Sequence, residues 1–120
     1  MNWLIGHLVG DFLLQNDWMA INKKSHWLPA CVHCLVYTIV VWLFCQISPN
    51  PWPLWTIPVI FISHIALDAT MFVHWLAKVM GREKFVDMGS PYYPWSLVTI
   101  DNSIHLLSLF IIDQIVLYLV

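Results

Sequence analysis

The chain has 120 residues, of which 60% are hydrophobic and only 10% charged, and its net charge is −2. Soluble domains carry about 25% charged residues, so this deficit, with a mean hydropathy of +0.73, places the chain in the membrane class. Five Lys and Arg are too few for a phosphate-tracking groove, which argues against nucleic acid as a partner. Three cysteines, all in one apolar run, exclude a disulfide framework.

The apolar runs are continuous rather than alternating, which predicts helices instead of strands. The first runs from about Asn2 to Ile21 and is interrupted by Gln15, Asn16 and Asp17. No basic stretch precedes it and no small-residue cleavage site follows, so it is expected to be a retained span. Gly6 and Gly10 form a small-xxx-small pair that would let a neighbouring helix approach closely. Lys23 and Lys24 follow in a short loop with Ser25 and His26. The second run extends from about Leu28 to Ile47, with Pro29 in its first turn. Ser48-Pro-Asn-Pro-Trp-Pro53 is a stiff connector. The third run extends from about Leu54 to Leu76, and a loop from Ala77 to Trp95 carries Lys78, Arg82, Glu83, Lys84 and Asp87. That loop ends in aromatics suited to the headgroup level. The fourth run extends from about Ser96 to Val120.

Each run has about 20 residues, enough to cross ~30 Å of hydrocarbon as helix. The expected fold is a single all-α domain, an integral membrane protein with four transmembrane helices in a compact bundle. All Lys and Arg fall in the first and third connections. The positive-inside rule then places both termini on the outer side and the basic loops in the cytoplasm, as in a multi-pass inner-membrane protein. The basic residues set this topology and touch anionic lipid.

The chemistry is concentrated inside the spans. His7, Asp11 and Gln15 make one polar stripe on the first, and an intramembrane aspartate must face partners rather than lipid. The second carries His33. The third carries His64 and Asp68, four apart. The fourth carries Asp101 and His105, in the reversed order that its reversed direction requires. At a rise of ~1.5 Å per residue, Asp11, His33, His64, Asp68 and His105 lie within roughly 10 Å of one another along the membrane normal. The depth of His7 depends on where the first helix ends.

Imidazole and carboxylate are the ligands of Zn²⁺, Mn²⁺ and Fe²⁺, and helix bundles present them at this spacing. The candidate divalent-metal ligands are therefore His7, Asp11, His33, His64, Asp68, Asp101 and His105. Gln15, Tyr37 and Ser108 are placed to hydrogen-bond behind them. A proton or ion pathway and a purely structural polar core remain alternatives. His7-Leu-Val-Gly-Asp11 and His64-Ile-Ala-Leu-Asp68 share His-aliphatic-x-x-Asp, a hint of duplication. Cys31-Val-His-Cys34 has the spacing of a metal or redox pair, but in an apolar helix Cys behaves as a small hydrophobe. Cys45 is expected to pack. Asp17 faces headgroup water or caps a break. His26 and His74 are interfacial, and Asp113 and Gln114 serve helix contact or oligomerisation.

The His7–Gln15 stretch, His33 in an apolar helix, His64-Ile-Ala-Leu-Asp68 and Asp101-Asn-Ser-Ile-His105-Leu-Leu together resemble a small bacterial and phage membrane-protein family, domain of unknown function 3307. The resemblance covers nearly the whole chain. Asn102 stands where the family pattern has Gln, a shorter amide able to keep a hydrogen-bonding role behind the ligands. The resemblance implies no particular activity. A looser likeness, through His- and Asp-rich helices alone, is to membrane-bound metal-dependent hydrolases. Three functions follow as expectations. The first is a membrane-embedded metal-dependent hydrolase of a lipid-like substrate. The second is a subunit of a proton-coupled or metal-ion transporter. The third is a structural or partner-binding membrane module. The expected partners are membrane lipids and a second copy of the chain.

Overall fold

Four spans are expected from hydropathy, and the structure has fewer helices long enough to cross. A computed structural model describes residues 1–120. Every element is helical: α1 (Asn2–Leu8), a π-helical turn (Val9–Leu13), α2 (Asp17–Asn22), α3 (Trp27–Gln46), α4 (Thr56–Asp68), α5 (Phe72–Val79), α6 (Glu83–Val86) and α7 (Trp95–Leu119). Only α3 and α7 are long and apolar enough to cross a membrane. A third span exists only if α4 and α5, bent by 68°, are counted as one.

Both broken segments have local causes. Asn16 leaves the helical conformation, and its side-chain oxygen accepts a hydrogen bond from the Met19 N–H at 2.9 Å. It thus caps a new helix, with Asp17 in the favourable acidic first turn. The first run is therefore divided. Residues 2–13 reach only about 18 Å at α-helical rise, short of the ~30 Å hydrocarbon layer. In the third run, the Thr70 hydroxyl donates to the Ala66 carbonyl and accepts from the Phe72 N–H. A hydroxyl that takes backbone groups out of the helical ladder lets the chain turn away. The loop expected from Ala77 to Trp95 contains the end of α5 and the short α6.

The helices pack around α3. A Cβ added to Gly6 would lie 2.9 Å from the Val41 Cα, and one added to Gly10 would lie 3.3 Å from the Tyr37 Cα. The two glycines therefore bring α1 and the π turn against the backbone of α3, antiparallel to it, as their spacing suggests. Tyr37, Val41, Cys45, Trp52, Ile60, Leu109, Ile112 and Val116 form the apolar core. Its far end is tied by the Trp52 Nε1–H, which donates to Asp113 Oδ1 at 3.1 Å, and by Gln46 Nε2, which donates to the Trp52 carbonyl at 3.0 Å. Asp113 thus serves a contact within the chain. All three cysteines are free, with Cys34 and Cys45 fully buried in packing roles.

Lys23 Nζ lies 2.7 Å from Asp68 Oδ1, so the first and third connections, with all five Lys and Arg, share one end of the molecule. The apolar core, the second connection and both ends of the described chain lie toward the other. Large apolar side chains such as Leu35, Ile39, Leu43, Ile62, Leu107 and Phe110 are exposed on the outer faces of α3, α4 and α7. A surface of this kind suits contact with lipid.

Candidate metal centre

Three elements deliver the four residues of one cluster. In the π turn the Leu14 N–H bonds the Val9 carbonyl at 3.0 Å, an i-to-i−5 bond. Asp11 sits within this wider turn, a kind of local irregularity common at functional sites. His33 comes from the first half of α3, and His64 and Asp68 from the last turns of α4.

His33 Nε2 stands 3.2 Å from Asp11 Oδ1 and 3.2 Å from Asp68 Oδ2. It is 3.0 Å from His64 Nε2, which is itself 4.0 Å from each of those carboxylate oxygens. One ligand atom from each of the four residues lies within 4.8 Å of all the others. Asp11, His33, His64 and Asp68 are all buried, at 6%, 1%, 2% and 3% exposure.

This spacing fits a metal. A tetrahedral zinc with bonds of ~2.0–2.1 Å holds its ligand atoms ~3.3–3.4 Å apart, inside the observed range. The protein alone leaves the carboxylates unsatisfied: Asp11 Oδ1 and Asp68 Oδ2 are buried and make no hydrogen bond. Two imidazole nitrogens facing each other share one proton at most, so a cation is the partner all four groups can share. Two imidazoles with two carboxylates suit Zn²⁺, Mn²⁺ or Fe²⁺.

Lys23 is the residue missed by sequence reading, which gave it to topology and lipid. It is only 14% exposed and holds Asp68 Oδ1, leaving Oδ2 directed at the cluster. The signal was available: an aspartate at the basic end of a membrane helix needs a cation, and a lysine stem reaches several ångströms along apolar surface.

The other candidates lie around the cluster rather than in it. His7 Nε2 is 2.8 Å from Asn102 Oδ1, and its Nδ1 is 2.9 Å from the Tyr37 hydroxyl. Asn102 Nδ2 donates to the Val98 carbonyl, which leaves Oδ1 as the acceptor. The His7 Nε2–H therefore donates to Asn102, and Nδ1 accepts from Tyr37. With both nitrogens engaged, His7 offers neither to a metal. It anchors Tyr37, whose ring stacks on His64 with centroids 3.6 Å apart and planes at 8°. Tyr37 and Asn102 thus sit behind the ligands.

His105 Nδ1–H donates to the Asp101 carbonyl at 2.8 Å, while its buried Nε2 has no partner. Its ring centroid is 4.7 Å from that of His64. The Asp101 carboxylate is half-buried, 3.7 Å from His105 Nδ1. Gln15 Nε2 donates to the Asp11 carbonyl, and the Ser108 hydroxyl to the His105 carbonyl, so both bond backbone only. Neither Cys31 nor Cys34 joins the cluster.

A family model described as a protein of unknown function (DUF3307) matches residues 1–120, the whole chain, and the chain belongs to that family. No curated protein and no solved structure matches it.

Proposed function

We propose that this family member is a membrane-embedded metalloprotein in which Asp11, His33, His64 and Asp68 hold one divalent transition metal ion. The observation that carries this reading is the convergence of four buried ligand atoms within 4.8 Å, two of them carboxylate oxygens without a hydrogen bond. Basic loops on the cytoplasmic side of an inner membrane complete the reading.

The reaction class that the surroundings favour is metal-dependent hydrolysis of a lipid-like substrate. A bound divalent ion turns coordinated water into a nucleophile at neutral pH. The chain's own residues supply the rest. His105 Nε2 is a buried imidazole nitrogen without a partner, able to take a proton. Tyr37 braces His64, and Lys23 braces Asp68. An apolar groove of about 310 Å³ between α4 and α7 is lined by Leu67, Phe72, Ile104, Leu107 and Ile111. Leu67 adjoins Asp68 in the chain, so an acyl or isoprenoid chain in this groove would run beside the cluster.

The test is elemental analysis of protein purified in mild detergent without chelator. About one zinc, manganese or iron per chain is expected, and it should be lost in Asp11→Asn and Asp68→Asn. Wild-type protein that folds without stoichiometric metal would end this reading. Loaded protein that cleaves no lipid ester or phosphoester would remove the hydrolase and leave the metal centre.

A further inference from the structure

A large cavity lies at the basic end of the molecule, away from the metal cluster. It measures about 770 Å³ and lies between α5, α6 and the start of α7. Helix α5 forms its floor. Val73 and Ala77, one turn apart, are buried, while Phe72, Trp75, Val79 and Met80 are exposed. A short helix that is apolar on its outer side and carries a lysine is built to lie at the headgroup level of a bilayer. Its 68° bend from α4 separates it from the direction of the spanning helices.

The polar lining is unusual in its charges. Lys78 and Lys84 contribute two cations, and Glu83 and Asp87 two anions, around one cavity. No ion pair joins them; the ion pairs of the molecule all lie at the metal cluster and at Asp101. His74 also lines the cavity, and its Nδ1 is buried without a hydrogen bond. Trp75 and Tyr93 add aromatic faces. A ligand that matches must carry both signs a few bonds apart, with N–H groups to give. A phosphate would meet the two lysines. A primary ammonium would meet the carboxylates and the aromatic faces. A quaternary ammonium has no N–H to donate, and a purely anionic headgroup would face Glu83 and Asp87 unpaired.

We propose that this cavity binds the headgroup of a phosphoethanolamine-bearing membrane lipid. The site stands on the membrane setting of the chain and not on the metal centre. Its occupant would fix α5 at the interface, one turn beyond Asp68.

The test uses the full chain in nanodiscs of phosphatidylcholine doped with phosphatidylethanolamine or phosphatidylglycerol, with bound lipid counted by native mass spectrometry. Phosphatidylethanolamine should be retained about two- to fivefold over either other lipid, the size of effect expected from exposed ion pairs. The double change Glu83→Gln with Asp87→Asn should lower that retention and raise phosphatidylglycerol. The double change Lys78→Gln with Lys84→Gln should lower both. All four residues are exposed, so the fold should persist. Equal retention of the three lipids, or preference unmoved by either double change, would overturn the proposal. Phosphatidylglycerol preferred by the wild type would overturn it too, in favour of an anionic lipid. Free phosphoethanolamine binding as tightly as the lipid would remove the membrane as its source. Metal content, measured on the same samples, should not change, which separates a failure here from a failure of the metal centre.

Discussion

The chain contains His-aliphatic-x-x-Asp twice, and the two copies do different things. In α4 the motif is a plain helix, and His64 and Asp68 both reach the cluster. In the first segment only Asp11 does. Asp11, in the π turn between Val9 and Leu13, reaches the cluster, while His7, equally buried, has both ring nitrogens taken by Asn102 and Tyr37. The carboxylates end in near-symmetric positions, each 3.2 Å from His33 Nε2. The histidines do not. Identical spacing in sequence therefore settles which helix face a pair shares, but not which groups its side chains meet there.

The comparison is most directly broken by removing the two histidines separately. His64→Ala deletes a ligand, and metal content should fall to background. His7→Ala deletes only the anchor of Tyr37. It should keep stoichiometric metal at saturation but weaken affinity by up to about tenfold, since His7 supports His64 only through the stacked Tyr37 ring and not by a hydrogen bond to a ligand. Competition with a calibrated chelator reads both, and equal losses in the two variants would show that the motifs are equivalent after all.

Gly6→Ala tests what places the first motif. The new Cβ would meet the Val41 backbone at 2.9 Å, so α1 must move from α3. Overpacking of this kind costs about 1–3 kcal/mol. Thermal unfolding in detergent should show the loss, whereas helix propensity alone predicts a gain. Tyr37→Phe is milder. It keeps the stacking on His64 but leaves His7 Nδ1 without its donor. Metal affinity should drop by less than in His7→Ala, and the same chelator titration ranks them. Lys23→Gln should have the smallest effect and the opposite sign. It keeps a hydrogen-bond donor for Asp68 Oδ1 while removing a positive charge near the centre, so metal binding should tighten by a few-fold.

Much of this was legible in the sequence, and the rest was hidden for physical reasons. Hydropathy located α3 and α7 to within a residue or so, because continuous apolar runs of that length have few alternatives. The glycine pair correctly announced a close helix contact. The four cluster residues were all among the candidates. The polar residues 15–17 marked an interruption in the first run, but the break in the third run depends on two local hydrogen bonds of the Thr70 hydroxyl that hydropathy does not see. It counted four spans where two helices, or three spans with the bent α4–α5 pair, are long and apolar enough to cross. The allocation of nitrogens was equally invisible. Whether His7 is a ligand or an anchor depends on Asn102, ninety-five positions away, accepting its proton. Lys23 was misread because basic loop residues were all assigned to the topology rule at once.

The two aspartates share one further property. Asp68 is the last residue of α4, and Asp11 lies in the turn that ends the first segment. Each of these segments is only about 20 Å long at α-helical rise, against ~30 Å for α3. In a bilayer, a molecule with two full-length and two truncated walls creates hydrophobic mismatch on one side only. The lipid there must thin, or water must enter, to meet Lys23 and the ends of the short helices. The cluster, itself buried, would then lie beneath a thinned patch of one leaflet, with Lys23 between it and that surface.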